Sequence, residues 1–403
     1  MNRVAITGMG AVSALGIGTS VTAAALRAGT SGVRPIMGAP TDRLAVKVGA
    51  EVPHFEPGEY FNEKRISQLD RYSQLGLIAA REAIAASGLE FKGALGARTA
   101  AIVGSGVGGM GTLDDNFRRL YAENVHHFHP LTIPRMMISA AVSHITMENG
   151  IKGPAFTIAS ACASANHAIG VAFQMVRSGM VDVAVSGGTE SVFTPGTLKA
   201  WEAMRILAPD TCRPFSRGRK GLVLGEGAGM LVLENFDHAR ARGALILGEI
   251  AGFGMSADAG DIVLPSLDGA ASAMKNCLAD GGLAPGEIDY INAHGTGTMM
   301  NDVTETRAIR AVFGGHADKL AVSSTKSLHG HALGAAGAIE LVATLLAMRG
   351  GFIPPTVNFL EADPECDLDY VPNQAREGRI GVALSNSFAF GGLNAVLAVR
   401  SAS

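Results

Sequence analysis

A weak internal repeat constrains this chain more than any single motif does. Residues 156–179, FTIASACASANHAIGVAFQMVRSG, resemble residues 320–351, LAVSSTKSLHGHALGAAGAIELVATLLAMRGG. Each reads as a strand, a loop of small residues, a His-Ala-Ile/Leu-Gly step and a helix that ends at Arg and Gly. RVAITGMGAVSA at 3–14 resembles GEIAGFGMSA at 248–257, and VAVSGGTES at 183–191 resembles VALSNSFAFGG at 382–392. Self-similarity at so long a spacing implies two related halves, not a solenoid. The seam falls within 234–248, which gives an N-terminal half over 1–240 and a C-terminal half over 241–403. Halves packed about a pseudo-twofold axis bring corresponding loops together. The loops near 162, 294, 326–331 and 390 are therefore expected to share one site.

Short runs rich in Val, Ile and Ala, such as TAAIVGSG and VDVAVSGG, alternate with amphipathic stretches such as SQLGLIAAREAIAASG. That alternation predicts an α/β fold with buried sheets. Hydrophobic residues make up 47% of the chain and charged residues 17%, enough for a large core and too apolar for disorder. The 52 glycines exceed the average share of roughly 7% and cluster at strand ends, where tight turns and close backbone approaches are expected. A net charge of −3 with no basic block gives nucleic acid nothing broad to bind. The opening MNRVAITGMGAVSALGIG reads as a buried strand and turn, because glycines interrupt its apolar run. No uninterrupted apolar run of ~18 residues is present, so no membrane span is expected and a cytoplasmic protein is the default.

Three stretches carry candidate chemistry. In TIASACASANHAIG, Cys162 stands between a strand-like run and a helix. A thiol there feels the positive end of the helix dipole, which favours thiolate, and backbone N–H groups at such a turn can form an oxyanion hole. Cys162 also reads as small buried filler, as free cysteines often are, and position alone leaves both readings open. Cys212, Cys277 and Cys366 lack this setting, and no C-x-x-C pair suggests zinc. In INAHGTGTMMNDVTETRAIR, His294 precedes a Gly-Thr-Gly-Thr turn, and Asp302 and Glu305 share one face of the helix that follows. His294 reads either as a turn histidine beside helix-capping groups or as an acid/base or hydrogen-bond donor. In SSTKSLHGHALGAAGAIE, Lys326, His329 and His331 crowd one loop of an apolar chain, which is costly without a purpose. His167, one turn into the helix after Cys162, reads as a packing residue. GSGVGG at 104–109 fits G-x-G-x-x-G but lacks the supporting βαβ context, so it reads as a tight turn near the site wall.

Taken together, SACASANHAIG, NAHGTGTMMND, SSTKSLHGHALGAAGA and NSFAFGGLNA resemble, in order and spacing, the β-ketoacyl-[acyl-carrier-protein] synthases of the thiolase superfamily. The resemblance spans nearly the whole chain and is nearest the type with one Cys and two His. Within the family, the stretch 198–230 resembles the nodulation protein E subgroup. The resemblance implies a thiolase-like five-layered αβαβα fold and decarboxylative condensation of a malonyl thioester with a Cys-bound acyl chain. It implies Cys162 as nucleophile, with its own amide and that of Phe390 as the oxyanion hole and Phe390 as a gate. It implies His294 and His331 as the decarboxylating pair, Lys326 ordering them together with Glu305, and Thr296 and Thr298 on the carrier's phosphopantetheine. Val107 and Trp201 would shape the acyl pocket. Asn292, Glu305, Glu340 and Asn386 would form a buried monovalent cation site, structural and not catalytic. No other cofactor is implied. The partners are an acyl carrier protein, housekeeping or dedicated, and a second copy of the chain.

Departures from the family pattern carry their own expectations. Ala389 and Leu393 replace a Gly and a Thr of the usual GFGGTN ending, which would stiffen the gate. Lys64 and Arg65 remain of a carrier-docking patch, but Ser67, Gln68, His126 and His127 stand where basic residues are usual. Thiolases carry a second cysteine near the C-terminus, absent here, which disfavours a non-decarboxylating thiolase. Partner subunits that only set chain length lack the nucleophile, which is present.

Overall fold

The computed structural model describes residues 1–402. Ten strands form the main path of its eleven-stranded central sheet, a short strand at Gly16–Ile17 pairing only with the first: β1 (Val4–Ser13), β2 (Thr99–Gly104), β3 (Ala155–Ile158), β4 (Val183–Glu190), β5 (Gly227–Asn235), β6 (Gly248–Ala257), β7 (Tyr290–Asn292), β8 (Ala321–Ser323), β9 (Val382–Ala389) and β10 (Leu393–Arg400). Their order is β8-β7-β9-β10-β6-β1-β5-β4-β2-β3. Read outward from the β1–β6 junction, both sides follow one plan. In the first half β2 pairs in parallel with β3 and β4, and β5 lies antiparallel between β4 and β1. In the second, β7 pairs in parallel with β8 and β9, and β10 lies antiparallel between β9 and β6. The halves join where β1 and β6, the first strand of each, run antiparallel with Val4 opposite Ile250. All three pairs of similar stretches in the sequence thus occupy equivalent places.

Five helices complete the layers. α1 (Arg71–Ser87) covers the outer face of the first sheet, and α3 (Leu267–Gly281) with α4 (Met299–Phe313) covers that of the second. Between the sheets lie α2 (Ser164–Arg177) and α5 (Ala336–Gly350), packed on both sheets and on each other. The result is a five-layered αβαβα, thiolase-like fold. Glycine permits the close spacing of its layers: a Cβ on Gly8 or Gly10 of β1 would lie 2.0 Å from a carbonyl oxygen of α1. Helix α1 starts where the Asp70 carboxylate accepts from the Tyr72 N–H and stops at Gly88, whose φ is 68°.

Helix α5 is buried on nearly all sides, as a helix between two sheets must be. Residues 333–350 have a mean hydropathy of 1.4, enough by length and composition to cross a membrane, and 83% of them are buried inside the protein. Glu340 interrupts the apolar run, and the helix belongs to the core of the fold.

The repeat register needs one correction. α2 and α5 begin alike: Ala161 has φ 48° three residues before Ser164, and Leu333 has φ 45° three residues before Ala336. Cys162 therefore corresponds to Gly334. The two His-Ala-Ile/Leu-Gly steps are not equivalent, since His167 lies inside α2 whereas His331 precedes α5. The second loop is longer than the first, and matching the steps by sequence concealed that difference.

Candidate active site

Cys162 lies just before α2, 6% exposed, after the turn at Ala161. A non-glycine residue at positive φ costs about 1–2 kcal/mol. Ser164 offsets that strain: its Oγ accepts from the Ser160 N–H at 2.9 Å and donates to the Ala161 carbonyl at 2.7 Å. Among the described residues, neither the Cys162 nor the Phe390 N–H has a hydrogen-bond partner, so both are free to serve a ligand oxygen.

The helix start favours thiolate, and burial opposes it. Burial pushes the Cys162 thiol up to about 12, against the opposing pull of Lys326. That displacement is worth about 4 kcal/mol, whereas a helix terminus contributes at most ~2 kcal/mol. The resting sulfur is a thiol, and its proton must leave as the sulfur attacks.

Two histidines face this sulfur from the second half. His331 Nε2 is 3.1 Å from Cys162 Sγ, and His331 Nδ1 accepts the Leu333 N–H at 3.2 Å. An Nδ1 that accepts leaves the ring proton on Nε2. His294 stands edge-on to His331 with ring centroids 5.4 Å apart. Its Nδ1 lies 3.4 Å from Lys326 Nζ, so its proton is also on Nε2. Burial, then the nearby Lys326 charge, holds both imidazoles well below the ordinary histidine value. Both are therefore neutral near pH 7, and each offers one Nε2–H to the cleft.

Lys326 and Glu305 both act on His294, but from different sides and without bonding each other. The Lys326 ammonium bonds the Glu340 carboxylate, and both side chains are fully buried. The charge that interrupts α5 is thus the counter-ion of the lysine that orders His294. Glu305 acts on the backbone instead, its two oxygens accepting the His294 and Gly295 N–H groups at 2.8 Å each. One turn earlier on α4, Asp302 accepts the Gly297 N–H at 3.2 Å and the Phe215 N–H at 2.7 Å. The two acids on one helix face hold the 294–298 loop, whose Gly295 and Gly297 adopt φ 37° and 78°. Thr296 and Thr298 hydrogen-bond one another at 2.8 Å on the cleft wall.

The cleft is about 320 Å³ and runs from Cys162, His294 and His331 outward. Trp201, Ile206, Leu222, Phe388 and Phe390 line it, an apolar wall over a polar floor. Trp201 and Phe390 stack with centroids 6.1 Å apart and 23° between planes. Val107 is not on this wall. It sits 38% exposed on the 105–109 turn, where its N–H donates to the Glu190 carboxylate at 3.3 Å. His167 is clear of the cleft, bonded to Ser160 Oγ at 2.8 Å and edge-on to Phe253. Arg65 of the thin docking patch reaches His144 at 3.0 Å and Glu148 at 3.6 Å. Cys212, Cys277 and Cys366 are buried free thiols.

The four residues expected to ligate a cation divide into two pairs. Glu340 Oε2 and Asn386 Oδ1 are buried oxygens with no partner, as a hard cation would require. Both Glu305 oxygens and Asn292 Oδ1 already accept protein hydrogen bonds. Of the four, only Glu340 and Asn386 each keep an unpartnered oxygen to offer a cation. Sequence reasoning missed Glu340 as the partner of Lys326 and missed Glu190 altogether. The buried carboxylate 14 residues beyond the lysine, inside an apolar helix, was the available signal for the first.

Residues 1–239 match the family described as Beta-ketoacyl synthase, N-terminal domain, and residues 247–360 match Beta-ketoacyl synthase, C-terminal domain. Nodulation protein E of Rhizobium sp. (strain N33) is 48% identical over 398 residues, 99% of each chain. The 3-oxoacyl-[acyl-carrier-protein] synthase 2 of Coxiella burnetii (strain RSA 493 / Nine Mile phase I) is 43% identical over 403 residues, covering 98% of this chain and 97% of that protein. Among solved structures, a chain of the ishigamide ketosynthase/chain length factor superposes with a TM-score of 0.95 at 38% identity, and all of both chains is covered.

Proposed function

The chain belongs to the β-ketoacyl synthase family, and from that membership we propose how its residues divide a decarboxylative Claisen condensation. It is a 3-oxoacyl-[acyl-carrier-protein] synthase, extending an acyl chain by two carbons. The observation that carries the assignment of roles is the meeting of Cys162 with two neutral Nε2–H donors at the floor of an apolar cleft.

In the first half-reaction Cys162 Sγ bonds to the acyl carbonyl carbon and the carrier's thioester C–S bond breaks. The proton lost from Cys162 ends on the departing carrier thiol. The Cys162 and Phe390 amides hold the oxyanion of that step. In the second, a malonyl thioester loses CO₂, and negative charge collects on its thioester oxygen. The Nε2–H groups of His294 and His331 hold that charge, each such donor being worth roughly 10²–10³ in rate. The enolate carbon attacks the acyl-Cys162 carbonyl, the C–S bond breaks, and the released sulfur takes up a proton to restore the thiol. Lys326, charge-balanced by Glu340, fixes the His294 tautomer. Thr296 and Thr298 hydrogen-bond the amides of the carrier's phosphopantetheine. Trp201 and Phe390 close on the acyl chain.

Carrier proteins are acidic, and the sparse basic residues near Arg65 favour a dedicated carrier over strong steering by a general one. The edge strand β3, with Phe156 39% exposed, supports pairing with a second copy. The cytoplasm, where four free thiols stay reduced, suits the enzyme. A monovalent cation at Glu340 Oε2 and Asn386 Oδ1 would brace the lysine pair structurally. The division into halves at 240/241 remains our boundary. The test is product analysis: acyl-carrier and malonyl-carrier together should yield CO₂ and a 3-oxoacyl thioester two carbons longer. Chain extension without CO₂ release would favour a thiolase instead.

A further inference from the structure

The mechanism leaves unused a carboxylate at the centre of the fold, at the end of β4. Glu190 is fully buried. Its Oε2 accepts the Gly106 N–H at 2.6 Å and the Gly334 N–H at 3.1 Å, and its Oε1 accepts from Ser105 Oγ at 2.9 Å and the Val107 N–H at 3.3 Å. None of these partners is a cation. Sealing a carboxylate without a counter-ion costs several kcal/mol, and burial raises this one from 4.5 to about 7. An apolar side chain would fill the space more cheaply. The expense points to the geometry that the four donors impose.

That geometry is set by the pseudo-twofold. Gly334 corresponds to Cys162, so its amide is the counterpart of the one that faces the cleft. The fold therefore builds two anion cradles at two equivalent helix starts, and fills the second with its own carboxylate. The backbones close tightly on it. A Cβ on Gly334 would lie 2.3 Å from Gly106 N and 2.5 Å from Glu190 Oε2, and one on Gly106 would lie 2.9 Å from the same oxygen. Glu190 and the 105–107 turn belong to the half that carries Cys162, and Gly334 to the half that carries His331. The residue before Gly334 is Leu333, whose N–H fixes His331 Nδ1. We propose that Glu190 is a positioning residue, a strap between the halves that sets His331 against Cys162 by holding the 333–334 backbone to the 105–107 turn. The proposal rests on the reading of His331 as a donor to the enolate.

Glu190→Gln, Glu190→Ala and Glu190→Asp separate this role from bulk stability. The glutamine oxygen can still accept from Gly106 and Gly334 while its NH₂ donates to Ser105 Oγ, with only the long Val107 bond lost. Alanine leaves the Gly106, Val107 and Gly334 amides and the Ser105 hydroxyl without their acceptor. A misplacement near 1 Å costs about 10²-fold in rate. In folded Glu190→Ala enzyme, CO₂ release from malonyl-carrier should fall about 100-fold while the acyl-Cys162 burst stays within about fivefold of wild type. Glu190→Gln should restore both to within about fivefold. Should alanine fail to fold, Glu190→Asp, one methylene too short to reach both sides, should show an intermediate loss confined to CO₂ release. A wild-type ratio of CO₂ release to acylation in the folded alanine or aspartate variant overturns the proposal, as does a glutamine variant no better than alanine. A wild-type enzyme that neither acylates nor releases CO₂ would instead defeat the functional reading itself.

Discussion

Lys326→Met separates the two jobs that the lysine holds. Lys326 and Glu340 are fully buried and bonded to each other. Removing the cation leaves a sealed carboxylate, and breaking a buried pair in this way costs about 3–5 kcal/mol. For a chain of 403 residues the unfolding entropy near Tm is about 0.8 kcal/mol/K, so that loss lowers Tm by roughly 4–6 °C. The catalytic effect has a separate cause. His294 Nδ1 loses its donor, and the neutral ring no longer keeps its proton on Nε2. Losing one oxyanion donor costs about 10²–10³ in rate, here in CO₂ release and condensation and not in acyl transfer. The double variant Lys326→Met/Glu340→Leu removes both charges and should recover most of the Tm, because apolar residues replace buried pairs at little cost. It should not recover condensation. Thermal melts, mass measurement of acyl-enzyme and CO₂ release on the two variants decide the matter. Recovery of condensation together with stability would refute the tautomer argument and reduce Lys326 to a structural ion.

Three further outcomes are expected. Burial raises Glu305 from 4.5 to about 7, so the native chain holds that proton more tightly than the unfolded one. Its stabilising effect is full below pH 4.5 and is lost as pH rises through about 7. Denaturant titrations should show wild-type stability falling by about 3 kcal/mol relative to Glu305→Gln between pH 4.5 and 8, and parallel curves would count against the shift. Trp201 is the only tryptophan and stacks on Phe390, so its fluorescence should change on acylation and not in Cys162→Ala. With a general and a dedicated carrier presenting the same acyl chain, the dedicated one should give the higher kcat/KM; equal values would remove the argument from the sparse basic patch.

The halves were legible because each repeats a strand, a turn and a helix with recognisable residues, and the sheet order obeys the same plan twice. Cys162, His294, His331 and Lys326 were legible because each lies in a polar or small-residue loop of an otherwise apolar chain. What the sequence hid was long-range pairing. The sequence alone does not pair Glu340 with Lys326; the packing of α5 against the 326 loop brings them together. Glu190 carried no signal in the sequence, because its partners are backbone amides from two distant turns. The helix start that favours thiolate at Cys162 is a local feature, whereas the burial that opposes it depends on the whole fold.

The central claim is that Cys162 carries the acyl chain between two neutral histidines. Peptide-resolved mass spectrometry of wild type and Cys162→Ala after incubation with acyl-carrier tests it most directly. The account predicts one acyl group, on the peptide containing Cys162 in wild type and nowhere in the variant. An acyl group on Cys212, Cys277 or Cys366, or an equal adduct on Cys162→Ala, would contradict it.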